Sequence, residues 1–355
     1  MSAVPVTPSP AAPLRIADGA PVERPLADRL GRRAADLRVS LTDRCGLRCT
    51  YCLPADGVPW LPRRQVMTDD EVIRLVRLSV MRLGVRKVRL TGGEPLLRPG
   101  LVDLVARIAR LRPRPMIAMT TNGVSLAERV ADLRRAGLDR LNVSLDALDP
   151  DVARAVSRRP LLPRTLAGVA AARAAGVPEL RVNTVLMRGV NTDQAVPIVR
   201  WALDRGITPR FIEQMPLDAG HGWRRDAMVT AAETLALLGE AFTLRPVDRP
   251  RGSDPAASHV VFEGDRRLGE VGIIASVTAP FCAACSRTRL TADGRVRACL
   301  FSHVETDLLG PLRDGADDDE LERLWRGAQW AKPAAHGIDR AGFVPPRRPM
   351  SAIGG

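Results

Sequence analysis

LRVSLTDRCGLRCTYC, Leu37–Cys52, runs from a short apolar, strand-like stretch into three cysteines. Cys45, Cys49 and Cys52 are spaced C-x3-C-x2-C. A pair would close a disulfide, and four would close a zinc site. A four-iron cluster takes four thiolates, so three leave one iron open to a small molecule. Zinc with a fourth ligand from elsewhere is the plainer alternative. The spacing disfavours it, because structural zinc sites pair C-x2-C units with a second ligand pair.

Five further runs resemble the first: Val85–Gly92, Met116–Gly123, Arg140–Ala147, Leu180–Met187 and Pro209–Met215. Helical patterns separate most of them. Thr68 and Glu71 form a capping-box signature before apolar residues at helical spacing. GLVDLVARIARL, SLAERVADLRRAG and LPRTLAGVAAARAAG repeat the pattern, the last two ending on Gly137 and Gly176. A helix over 192–206 requires Pro197 in its first turn. Strands alternating with helices imply a parallel sheet with right-handed crossovers. Six units are too few for a closed eight-fold barrel. The expected fold class is therefore α/β, an open partial (βα)6 TIM-like barrel spanning 34–217. Its chemistry belongs at the C-terminal ends of the strands. The first cysteine triad lies there, with Gly92-Gly93-Glu94-Pro95, Thr120-Thr121-Asn122, Ser144 and Met215.

Residues 1–33, rich in Pro and Ala, read as a flexible tail without the basic head and apolar block of a secretory signal. Residues 218–355 read as a C-terminal α+β region. It holds a helix at Thr230–Phe242, strands in HVVFEG and GEVGIIASV, a hairpin turn at Asp293-Gly294 and a final helix with an acidic start. It also carries the second triad, Cys282, Cys285 and Cys299, with His303 four residues on. Three cysteines and a histidine would complete a tetrahedral zinc site, and spacing leaves that open. Arg287 and Arg289 alternate after Cys285, so on a strand they share one face. Two guanidiniums beside a metal suit a multiply charged anion such as a triphosphate. The remaining histidines, His221, His259 and His336, have no partner spacing and read as structural or surface residues.

The 355 residues carry a net charge of +13, which raises nucleic acid as a partner. The charge is nearly all Arg spread over the whole chain, and aromatics are 3% of it, so a base-stacking platform is not expected. No apolar run is long enough to span a membrane. Clustered cysteines in a reducing compartment are metal-binding or catalytic more often than disulfide-forming, so a cytoplasmic setting is expected.

The first triad, with Tyr51 before its last cysteine, and TGGEP at Thr91–Pro95 resemble the signatures of radical S-adenosylmethionine enzymes. With MTTNG, LNVSLDA, RFIEQM, FCAACSRTRL and the terminal Gly354-Gly355, the chain from Leu37 onward resembles one family among them. That family is the GTP 3′,8-cyclases, the A proteins of molybdenum cofactor biosynthesis. The resemblance implies two [4Fe-4S] clusters, held by Cys45, Cys49 and Cys52 and by Cys282, Cys285 and Cys299. It implies that S-adenosylmethionine is contacted by Tyr51, Gly93, Ser144, Asn183 and Met215. The substrate would be GTP, met by Arg38, Lys87, Arg89, Thr120, Arg181, Arg210, Arg287, Arg289, Gly354 and Gly355. Arg181 stands where the family leads one to expect lysine, which changes the hydrogen-bond geometry. A 5′-deoxyadenosyl radical would take the C3′ hydrogen of GTP, and C3′ would join C8 of guanine. The resemblance further implies a flavodoxin- or ferredoxin-type reductant, a homodimer, and cyclic pyranopterin monophosphate synthase as the next enzyme. It makes a zinc-dependent nucleic-acid binder, a peptide-modifying radical enzyme and a non-catalytic scaffold the rivals.

Overall fold

The computed structural model describes residues 25–354. The six expected strands are present: β1 (Asp36–Ser40), β2 (Lys87–Thr91), β3 (Met116–Thr121), β4 (Arg140–Ser144), β5 (Glu179–Val185) and β6 (Thr208–Ile212). They lie side by side in chain order and all parallel. Each ends a few residues before the apolar run does, because its last residues turn into the loops above the sheet.

The helices between them follow the local signals. Thr68 and Glu71 close a full capping box on the helix Asp69–Met81, and Glu71 also pairs with Arg313. Gly137 caps Val130–Ala136 at φ +116°, a left-handed conformation that glycine adopts without a Cβ penalty. Pro197 sits in the first turn of Ala195–Leu203. Helices outside and loops inside bury β1 and β2 along almost their whole length, as a covered parallel sheet requires.

The C-terminal strands are β7 (Thr243–Pro246), β8 (Ala257–Glu263), β9 (Arg266–Ile274), β10 (Arg287–Leu290), β11 (Arg295–Arg297) and β12 (Thr306–Asp307). They do not form a separate sheet. β10 adds parallel to β1, and β9 adds parallel to β6, so the barrel's sheet is extended at both edges. Among the described residues the result is one open twelve-stranded sheet, β12-β11-β10-β1-β2-β3-β4-β5-β6-β9-β8-β7. Asp293-Gly294 makes the expected hairpin between β10 and β11. β10 runs parallel to β1 with Arg287 opposite Asp36, so Cys282 and Cys285 precede β10 at the N-terminal end of β1, and the first triad follows its C-terminal end.

One expectation needs correction. Residues 25–33 are not a flexible tail. Leu26 and Ala34 are in the core, and Leu26 N–H bonds the Leu83 carbonyl. Asp28 and Arg32 form a buried ion pair at 2.6 Å. The polar look of this stretch hid two apolar anchors and an internally neutralised charge. Residues 1–24 and Gly355 lie outside the described residues.

Candidate active site

The first triad lies on the loop after β1, folded over the ends of β2 to β4. Its three cysteines line a cavity of about 190 Å³ with Tyr51, Gly92, Gly93, Thr120, Asn122, Ser144 and Asp146. All three thiols are free. Burial pushes each upward, Cys52 to about 12, and neighbouring thiols raise Cys49 further. Asn122 reaches Cys45 Sγ from Nδ2 at 3.8 Å. Among the described residues no three His, Cys, Asp or Glu side chains gather as a site for one metal ion. Three unpaired thiols sharing one cavity fit the corners of a cluster, whose iron supplies the positive charge that keeps buried thiolates ionised.

The glycines of TGGEP have a reason the sequence did not show. A Cβ on Gly93 would lie 2.3 Å from the Arg44 carbonyl oxygen, and one on Gly92 would lie 2.4 Å from that of Thr42. The bare backbone lets this loop lie against the cysteine loop, with Gly93 N–H bonded to the Thr42 carbonyl at 2.7 Å. Glu94 then ties the neighbouring strand ends. It accepts from Thr121 Oγ1 at 2.6 Å and from the Asn122 and Leu96 N–H groups.

A second cavity of about 340 Å³ adjoins the first. Thr120, Tyr51, Ser144 and Met350 line both. The second cavity also brings together Arg38, Lys87, Arg89, Arg181, Asn183, Arg210, Met215, Arg287 and Arg289. Apart from Met215, in the loop after β6, these come from β1, β2, β5, β6 and β10, so only the sheet assembles them. Arg38, Arg89, Arg210 and Arg287 each bury an Nε without a hydrogen-bond partner. Burial, then the charge of Arg287, holds Arg38 down at about 10. Burial, then Arg38, holds Arg89 at about 9. Crowded guanidiniums with unpartnered Nε groups suit a polyanion.

Carboxylates restrain this cluster. Lys87 pairs with Asp36, and Arg210 with Asp254 at 3.2 Å. Arg181 shares Glu179 with Arg140, at 2.8 and 2.7 Å. Arg140, Asn142, Asp36 and Asp254 line the cavity but were not expected there. Arg140 and Asn142 stand at alternate positions of β4, opposite Glu179 and Arg181 of β5, a signal legible only once the strands are paired.

The C-terminal segment enters between the cavities. The Ser351 N–H acts on Cys52, and Arg289 holds the Gly354 carbonyl oxygen at 2.5 Å. Cys282, Cys285 and Cys299 sit beside the arginine cavity, next to its lining residues Phe281, Arg287 and Leu300. Burial, then the charges of Cys299 and Cys285, raises Cys282. Burial acts upward on Cys285 too, but Lys332 and Arg287 outweigh it and hold the thiol at about 7. His303 faces the Val344 carbonyl at 3.0 Å on the exposed side. His336 contacts the Ser276 carbonyl and Phe301.

Two family models match the chain: the Radical SAM superfamily at residues 39–202 and Molybdenum Cofactor Synthesis C at residues 207–338. GTP 3′,8-cyclase of Mycobacterium marinum is 55% identical over 341 residues, covering 96% of this chain and 95% of its own. The chain belongs to the GTP 3′,8-cyclase family. A relative of that name from Streptomyces coelicolor is 54% identical, covering 93% of this chain and 96% of its own. Among solved structures, Streptococcus suis SuiB bound to its precursor peptide SuiA matches with a TM-score of 0.57. It is 15% identical and covers 87% of this chain and 67% of its own, a likeness of fold alone.

Proposed function

We propose that this chain is a radical S-adenosylmethionine lyase that converts GTP to (8S)-3′,8-cyclo-7,8-dihydroguanosine 5′-triphosphate, the first step of molybdenum cofactor biosynthesis. The observation that carries it is the pair of adjoining cavities, thiol-lined on one side and guanidinium-lined on the other. When bound, the N-terminal cluster and S-adenosylmethionine supply the 5′-deoxyadenosyl radical that takes the C3′ hydrogen. The protein positions everything else. Cys45, Cys49 and Cys52 would hold that cluster, and Cys282, Cys285 and Cys299 would hold the second, whose open iron would serve the guanine base. Gly93, Tyr51, Ser144, Asn183 and Met215 hold S-adenosylmethionine; of these, Tyr51 and Ser144 line both cavities and so border the nucleotide as well. Arg38, Lys87, Arg89, Arg181, Arg210, Arg287 and Arg289, with Thr120, fix the triphosphate and aim the ribose. Gly354, bonded to Arg289, and Gly355 are assigned to GTP binding with them.

We assign 34–217 to the radical half and 218–355 to the half with the second cluster and the GTP face. Six free cysteines support a reducing, cytoplasmic setting. Among the described residues no helix is long and apolar enough to cross a membrane. A one-electron donor of flavodoxin or ferredoxin type, a homodimer, and cyclic pyranopterin monophosphate synthase as the next enzyme of the pathway follow from the family reading.

The test is anaerobic 5′-deoxyadenosine release from iron-reconstituted protein with S-adenosylmethionine and dithionite. GTP, but not ATP, is expected to stimulate it and to yield a cyclised guanosine product. Release indifferent to GTP would reopen the substrate. No release from iron-loaded protein would leave only a scaffold.

A further inference from the structure

Lys332 is one of two lysines in a chain otherwise served by arginine. It is 3% exposed. Its Nζ donates to Cys285 Sγ at 3.3 Å, to the Cys285 carbonyl at 3.2 Å and to the Arg287 carbonyl at 2.8 Å. An ammonium has three protons, so all three are spent here. Among the described residues Lys332 has no carboxylate partner within ion-pair distance. A buried ammonium without a counter-charge is costly. The available counter-charge is the thiolate of Cys285 and whatever it ligates.

The lysine is held in place from behind. Arg32 donates to the carbonyls of Pro333 at 2.6 Å and Ala334 at 2.8 Å. It also donates to the Cys282 carbonyl at 2.8 Å. Arg32 is itself locked by Asp28. The segment 28–32 thus staples 332–334 to the loop Cys282–Cys285. Trp325 fixes the preceding helix to β10 through Thr288 Oγ1 at 3.0 Å. Arg287 also faces Cys285 Sγ, at a longer 3.9 Å, but it lines the GTP cavity, which Lys332 does not.

We propose that Lys332 is the positioning residue that sets the reduction potential of the C-terminal cluster, by holding a fixed positive charge and a hydrogen bond on the Cys285 sulfur. One-electron reduction adds one negative charge to the cluster and its thiolates. A cation at hydrogen-bond distance stabilises that reduced form, so it raises the potential. Hydrogen bonds to ligand sulfurs are one of the protein's levers on such clusters. The inference rests on the cluster assignment under the proposed function.

The experiment uses the full chain with Cys45, Cys49 and Cys52 changed to Ser, so that only the C-terminal cluster is present. The protein is reconstituted anaerobically, poised with dithionite and followed by electron paramagnetic resonance. With equal iron and sulfide, Lys332→Gln is expected to shift the midpoint to more negative potential, and Lys332→Arg to stay near the parent. An iron-loaded Lys332→Gln with the parent's midpoint overturns the inference. So does Lys332→Arg shifted as far as Lys332→Gln, since that would mark packing rather than charge.

A second measurement needs no change at Lys332. With ¹⁵N-lysine the chain carries only two labelled side chains, and Lys87→Arg leaves one. A hyperfine coupling from that nitrogen to the reduced cluster is expected, and its absence overturns the inference. A parent protein that binds no iron at the second triad brings down the cluster assignment itself, a separate and recognisable failure.

Discussion

Arg289 donates from Nη1 to the carbonyl oxygen of Gly354 at 2.5 Å, and both residues are buried. The C-terminal segment is therefore a wall of the site. Gly354 has φ +78°, and a Cβ there would lie 2.4 Å from Ser40 Oγ and 3.0 Å from Thr91 Cγ2. Gly354→Ala is expected to lift the segment out of place while both triads keep their iron. A hydrogen bond to a charged group is worth about 1.5–3 kcal/mol, so GTP-dependent turnover should fall roughly 10- to 100-fold. Anaerobic product assays beside iron analysis check this, and unchanged turnover would show the segment to be incidental.

Arg38 and Arg287 illustrate a conflict between stability and binding. Each is buried near the other, and Arg38 buries an unpartnered Nε. Arg38→Ala removes a repelling charge from the empty cavity. The nucleotide-free protein is expected to melt at the same or higher temperature. Its stabilisation by GTP should shrink, with affinity weakened about 10- to 100-fold. Thermal melts with and without GTP measure both effects. A variant that melts lower and binds normally contradicts the assignment.

Gly93→Ala is expected to lower the iron of the first cluster and spare that of the second. Its Cβ would meet the Arg44 and Asp43 carbonyl oxygens at 2.3 and 2.5 Å, and neither backbone atom can swing away as a side chain could. The strain of about 1–3 kcal/mol falls on the loop carrying Cys45. Iron content should drop by about half, because the second triad is on another loop. Full iron content would mean the two loops are less tightly coupled than their contact implies.

Asp146 gives the iron-free protein a pH dependence. It accepts from Tyr51 Oη at 2.8 Å and from the Val185 N–H at 2.9 Å. Burial pushes its carboxyl up from 3.8 to about 6, against the downward pull of those two bonds. The folded chain thus binds this proton more tightly than the unfolded chain. The resulting stability is full below 3.8 and is lost as pH rises through about 6, at most about 3 kcal/mol. Asp146→Asn keeps an acceptor for Val185 and should flatten that slope. Denaturant melts across pH about 4 to about 7 decide it. An unchanged slope assigns the titration elsewhere.

Much of the site was readable because its signals are local. The two cysteine triads, the capping box at Thr68 and Glu71 and the turn at Asp293-Gly294 each depend on residues close in the chain. Arg140 and Asn142 were not readable, because their relevance comes from lying opposite Glu179 and Arg181 across β4 and β5. Lys332 was visible only as an oddity, a lysine where the chain otherwise uses arginine. Residues 25–33 misled because a polar stretch can still be anchored by Leu26 and by an ion pair whose members neutralise each other.

The sequence alone determined the six βα units, the two cysteine triads and the local caps and turns. These follow from periodicity, spacing and capping chemistry, which act over a few residues. The tertiary structure decided that β10 joins β1 and β9 joins β6, placing both triads on one edge-extended sheet. It also decided which arginines meet in one cavity and which carboxylates restrain them. Strand pairing and charge burial are properties of residues far apart in the chain, and only the closed fold brings their energies to bear on one another.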